Sequence, residues 1–112
     1  MTTPPTTFRV GHSPDPDDAF MFHAMTTGAI DTGGRDYQHV LLDIETLNQH
    51  AMEGTYEISA VSIHSFPLIA EKYHLMNCGA SMGEGYGPMV ISNRDMTEEE
   101  AKTKTIAIPG LG

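Results

Sequence analysis

The sequence predicts an α/β fold, a mainly parallel sheet flanked by helices, and three observations carry that reading. β-prone stretches alternate with helix-like stretches three times over residues 8–73, the pattern of strand, crossover and strand from which parallel sheets are built. Each β-prone stretch runs into a polar segment with helix-start chemistry, at residues 13–18, 43–48 and 62–65. The composition is globular, with 39% hydrophobic and 19% charged residues, neither apolar-poor nor charge-rich as in disordered chains. At 112 residues a chain can bury roughly two thirds of its unfolded surface, enough for a core.

The first unit opens with a β-prone stretch from Phe8 to His12, followed by Ser-Pro-Asp-Pro-Asp-Asp at 13–18. Pro16 suits a first helical turn, Asp17 or Asp18 can cap it, and residues 19–25 continue as a helix closed by Gly28. A second strand is read from Tyr37 to Asp43. Asp43 then caps a helix from about Ile44 to Met52, and Gly54 fits the left-handed position that ends it. Residues 56–62 have a strand-like core, and 65–73 fit a third helix with Pro67 in its first turn.

The pattern then changes. Residues 78–88, Cys-Gly-Ala-Ser-Met-Gly-Glu-Gly-Tyr-Gly-Pro, are glycine-rich and lead into a predicted strand at 89–92. Residues 97–104 suit a short capped helix or turn, and 105–108 a further strand before Pro-Gly-Leu-Gly at 109–112. A strand and glycine loop are normally answered by a crossover helix, so the sequence is expected to continue into one.

Charge and cysteine content narrow the function. Fifteen acidic against six basic residues give a net charge of −9, which repels polyphosphate and supplies no basic cluster for counterion release, so no nucleic-acid partner is expected. The first seven residues, Met-Thr-Thr-Pro-Pro-Thr-Thr, have neither the basic nor the apolar region of a secretory signal, and no apolar run reaches membrane-spanning length. No membrane association is expected. Cys78 is the single cysteine and has no disulfide or CxxC partner, which agrees with a cytoplasmic location.

Three groupings invite a chemical reading. His12, Asp15, Asp17 and Asp18 bring carboxylates together as hard cations require, but the spacing of a calcium loop is absent, and a capped helix start with solvated aspartates is the reading adopted. No metal is assigned. The run Gly-Glu-Gly-Tyr-Gly at 83–87 is followed by a strand-like stretch, whereas a dinucleotide fingerprint sits between a strand and a helix, so it reads as a cleft-edge or hinge loop. The six histidines show no ligand spacing and none is assigned a catalytic role, although His12 and His64 follow predicted strands. The ends of parallel strands share one sheet edge, where backbone N–H groups and helix dipoles bind anions. That edge, carrying 13–18, 43–48 and 62–65, is the expected site.

The run Gly-His-Ser-Pro-Asp-Pro-Asp-Asp-Ala-Phe-Met-Phe-His-Ala at 11–24 resembles the opening of the 1,4-dihydroxy-6-naphthoate synthases of the futalosine route to menaquinone. Asp-Ile-Glu-Thr-Leu-Asn at 43–48, Val-Ser-Ile-His at 61–64 and Gly-Ala-Ser-Met-Gly-Glu-Gly-Tyr-Gly-Pro at 79–88 resemble later motifs of that family in the same order. Ala-Ile-Pro-Gly at 107–110 resembles the start of its second-lobe motif. The match covers most of the chain, and its first two motifs are the most specific.

The resemblance implies a two-lobed fold of the type II periplasmic-binding-protein class. Residues 1–88 then form the incomplete first lobe, and 89–112 the hinge crossing and start of the second. It implies a cofactor-free and metal-free lyase that converts cyclic dehypoxanthine futalosine to 1,4-dihydroxy-6-naphthoate in a cleft between the lobes. Matched residue by residue, Asn48 and Ser62 fall on ligand-contacting positions, Ala60 and Val61 supply backbone beside Ser62, and Ser13 lies on the neighbouring loop. The family's general-base histidine would lie beyond Gly112, so residues 1–112 alone are expected to be inactive. Two alternatives share the architecture: chorismate dehydratase of the same route, and a solute-binding receptor for a small carboxylate. Asp15 and Asp17 depart from the family, which often has cysteine and asparagine there.

Overall fold

The computed structural model describes residues 6–85 and 87–108. Its elements run β1 (Thr7–His12), α1 (Pro16–Thr26), β2 (Asp36–Leu41), α2 (Ile44–Glu53) and β3 (Ile58–Ser59). One turn of 3₁₀ helix (Ile63–Ser65) then leads into α3 (Phe66–Ile69), and α4 (Glu98–Ala101) follows much later.

The sheet is parallel throughout, in the order β2-β1-β3. β1 pairs with β2 from Thr7↔Asp36 to His12↔Leu41, and with β3 through Val10↔Ile58 and Gly11↔Ser59. Beyond β3 the pairing continues by one bond, from the Ala60 N–H to the Gly11 carbonyl at 2.8 Å. The sequence-predicted α/β class and parallel sheet are therefore present.

Alternation along β1 sorts its side chains to two faces. Gly11 faces α2, where a Cβ would stand 2.8 Å from Leu47 Cδ2. On the opposite face Phe8 stacks on Tyr37 at 5.6 Å, and His12 stacks on Phe22 of α1 at 4.3 Å. The two helices thus cover opposite faces of the sheet. Val10, Leu47, Ala51 and Ile69 form the buried apolar core, each large side chain among them contributing about 1.5–3 kcal/mol by leaving water. In α2 the buried positions are Leu47, Asn48 and Ala51, one stripe at helical spacing. The helix starts at Asp43, whose carboxylate accepts the Thr46 N–H at 2.9 Å, and stops at Gly54 with φ +73°. Both ends agree with the sequence reading.

Several boundaries differ. The strand expected over 56–62 shortens to Ile58–Ser59, because Arg9 holds the entering chain by its side chain: Nη2 donates to the Thr55 carbonyl at 2.6 Å and pairs with Glu57. The helix expected over 65–73 is four residues long, and its following turn tightens with Lys72 and Tyr73 N–H groups both donating to the Ile69 carbonyl. The Tyr73 hydroxyl then reaches the Tyr56 carbonyl at 2.7 Å, which draws the chain out of the helical path.

The strands expected at 89–92 and 105–108 are not formed. Met89, Val90 and Ile91 are 82%, 71% and 90% exposed, and their backbone pairs with no strand among the described residues. Propensity alone does not make a strand. The radius of gyration of 18.0 Å exceeds the roughly 13–14 Å of a compact chain this long, consistent with this extended stretch. The short helix expected near 97–104 is present as α4, with the Thr97 hydroxyl accepting the Glu100 N–H.

Candidate functional site

The chain leaves β1 to build β2 on one side and returns through α2 to place β3 on the other. The carboxyl ends of β1 and β3 therefore flank a topological switch point, where open α/β sheets form a ligand crevice. Ser13 follows β1, and Ala60, Val61 and Ser62 follow β3, on strands about 4.8 Å apart. Asn48 enters the same edge from the second turn of α2.

Asn48 and Ser62 are in direct contact. Asn48, 7% exposed, accepts the Ser62 N–H on Oδ1 at 2.9 Å. The Ser62 hydroxyl makes no cap bond to the 3₁₀ turn that it precedes, so it remains a donor at the edge. Ala60 spends its backbone on the fold, donating to Gly11 and accepting Ser59 Oγ at 3.0 Å. Val61 stands between, half-buried.

Ser13, 6% exposed, is held differently. Its N–H donates to Asp18 Oδ2 at 2.7 Å, its hydroxyl donates to Asp15 Oδ2 at 3.0 Å, and Ser13 Oγ accepts the Asp15 N–H at 3.2 Å. Both donors of Ser13 are committed to carboxylates. This also corrects the cap of α1. The N-cap is Asp15, not Asp17 or Asp18, and its side chain makes no cap bond, because it is turned onto Ser13. Asp18 reaches back past Pro14, which has no N–H to offer. Asp17 is lowered from its ordinary value, first by the Ser81 hydroxyl, and a Cβ at Gly79 would stand 3.5 Å from Met21 Sδ, so the glycine-rich segment begins beside α1.

Asp43 is likewise structural. Thr46 donates both its hydroxyl and its N–H to the Asp43 carboxylate, and the hydroxyl bond, first of these, lowers the carboxyl from its ordinary value. Among the described residues no three His, Cys, Asp or Glu side chains gather as a metal-binding group. His64 is exposed, and His12 is buried beneath Phe22 at 3% exposure.

Sequence reading missed one partner. His39 Nδ1 lies 3.0 Å from His12 Nε2. The β1–β2 register sets the two residues on one face, and the sequence carries no signal for that register. At the Asn48–Ser62 edge the groups present are uncharged donors and acceptors, suited to holding a carboxylate or hydroxyl rather than to moving protons.

A family model described as menaquinone biosynthesis matches residues 8–111. The chain is 31% identical over 102 residues to the 1,4-dihydroxy-6-naphthoate synthase of Thermus thermophilus, covering 91% of the chain and 36% of that protein. It is 28% identical over 103 residues to the enzyme of the same name from Streptomyces coelicolor, covering 92% and 36%. The chain thus spans about a third of the length of these curated relatives. A crystal structure of an Archaeoglobus fulgidus protein superposes with a TM-score of 0.68 at 51% identity, over 72% of this chain and 30% of that one. Among the described residues no helix is long and apolar enough to cross a membrane.

Proposed function

The chain belongs to the menaquinone biosynthesis family, and from that premise we propose that it supplies the carboxylate-holding part of a 1,4-dihydroxy-6-naphthoate synthase. The reaction is the cleavage of cyclic dehypoxanthine futalosine by a lyase without a metal or organic cofactor. The observation that carries this reading is the Asn48–Ser62 contact at the switch point, in a chain whose relatives bear that name.

In this reading Asn48 is both wall and brace. Its Oδ1 fixes the Ser62 backbone, so the Ser62 hydroxyl and the Asn48 amide N–H groups face one ligand carboxylate with little freedom left to lose on binding. Val61 and Ala60 form the backbone floor beside them. Ser13, with both donors occupied by Asp15 and Asp18, bounds the pocket and presents oxygen rather than N–H to the ligand. Residues 1–88 belong to the first lobe of a two-lobed, periplasmic-binding-protein-like fold and 89–112 to the crossing toward the second. The general base comes from that second lobe.

Calorimetric titration of the chain with 1,4-dihydroxy-6-naphthoate tests the binding role, and chromatographic detection of that product from cyclic dehypoxanthine futalosine tests the reaction when a second lobe supplies the base, the chain alone forming none. Ser62→Ala should weaken binding about tenfold or more, the worth of one hydrogen bond to a charged group. Unchanged affinity in Ser62→Ala, or binding of chorismate in preference to the naphthoate, would overturn the assignment, the latter in favour of the dehydratase.

A further inference from the structure

We propose that His12 and His39 form a latch that closes only when both rings are neutral, holding α1 and the Ser13 turn against the sheet and releasing them in mild acid. The inference is independent of the proposed reaction. It rests on a chain of three nitrogens and one carbonyl. His12 Nδ1 lies 3.0 Å from the Ser13 carbonyl, and His12 Nε2 lies 3.0 Å from His39 Nδ1. Among the described residues His39 Nε2 is the one buried side-chain nitrogen or oxygen without a partner.

A carbonyl only accepts, so His12 Nδ1 carries a hydrogen. In the neutral pair His12 Nε2 is then the acceptor, His39 Nδ1 the donor, and His39 Nε2 a bare lone pair. Adding one proton has two outcomes that keep both hydrogen bonds. Either the proton sits on His39 Nε2, or it sits on His12 Nε2 and the His39 hydrogen moves to its own Nε2. Both leave an N–H at His39 Nε2 that is buried, beside a positive charge, and without an acceptor. A buried donor left unpaired is costly, so acid favours opening the pair.

The surroundings offer no compensation. β1 contributes His12 to this face, and β2 contributes Tyr37 and His39. α1 contributes Phe22, stacked on His12 at 4.3 Å and edge-on to His39 at 5.8 Å, with exposed His23 at the rim of a cavity of about 400 Å³. Asp15 and Asp18 in the adjoining turn are bonded to Ser13, not to either ring. Burial first, and then the neighbouring His12, hold His39 below its ordinary value of 6.5. A group depressed in the fold stabilises it above the unfolded value and loses that contribution as pH falls below it. The window therefore opens near pH 6.5 and extends downward.

Long-range ¹H–¹⁵N spectra of the histidine rings, recorded on the chain from about pH 8 to about pH 5 across the ordinary histidine range, test the latch. His39 should show an unprotonated Nε2 at neutral pH and protonate below the ordinary value, and the amide signals of residues 13–26 should shift with it. Protonation of His39 at or above the ordinary value, or α1 amides unmoved through the transition, would overturn the proposal. His39→Gln keeps a donor toward His12 but cannot titrate, and should flatten the acid response of those amides and of the melting temperature. Should that variant fail to fold, the wild-type spectra decide.

Discussion

Asn48 Oδ1 accepts the Ser62 N–H at 2.9 Å across 14 residues of sequence, tying the second turn of α2 to the segment that leaves β3. The bond is half-buried, and Asn48 itself is 7% exposed, so neither group exchanges it freely for water. Replacing Asn48 by Leu leaves the Ser62 N–H without its partner, at a cost of about 1–3 kcal/mol. Asn48→Asp keeps an acceptor and should restore part of that loss. Denaturant titration of the two variants gives the comparison. Equal destabilisation by Leu and Asp would show that the acceptor oxygen does not brace Ser62.

Gly11 is the most closely packed of the glycines among the described residues. A Cβ there would lie 2.8 Å from Leu47 Cδ2 and 3.0 Å from Tyr56 Cδ2, and Leu47 is fully buried, so it has little room to move. Gly11→Ala should therefore destabilise by about 1–3 kcal/mol through overpacking, although alanine has the better strand propensity. Pairing it with Leu47→Val, which gives up some of the clashing side chain, should recover part of the loss. Strictly additive losses in the double variant would rule out the contact as the cause.

Much of this architecture was legible in the sequence because it is local. Asp43, Gly54 and Thr97 mark helix ends by chemistry acting within one turn, and each functions as a terminus in the structure. Alternation of strand and helix, with polar residues at each junction, was enough to assign 13–18, 43–48 and 62–65 to one edge, and the Asn48–Ser62 bond joins two of these segments. What escaped is relational. Asp15 satisfies Ser13 rather than the α1 N–H groups, and that depends on where Asp18 reaches. The His12–His39 pair depends on strand register, which no spacing within either strand reveals. The apolar run at 89–92 has the composition of a strand, but a strand also needs a neighbour.

The Arg9–Glu57 pair gives an acid-range prediction with a defined sign. Glu57 Oε2 accepts the Arg9 backbone N–H at 2.8 Å and its Nε–H at 3.0 Å, while Oε1 accepts Nη2 at 2.6 Å. Those bonds to Arg9, its side chain first, lower the Glu57 carboxyl from its ordinary 4.5 to about 2. The carboxylate thus prefers the folded chain, and its contribution is complete above pH 4.5 and is lost as pH falls toward 2. The pair is exposed, with side chains 46% and 40% accessible, so solvent and salt reduce what it contributes. Glu57→Gln should accordingly lower the melting temperature at neutral pH by a small amount, and the gap from wild type should close steadily as pH drops through this window. High salt should shrink the neutral-pH gap as well. Melting curves at matched ionic strength give the test: a gap that stays constant down to the bottom of the window would mean that the Glu57 charge does not brace β1 against the chain entering β3.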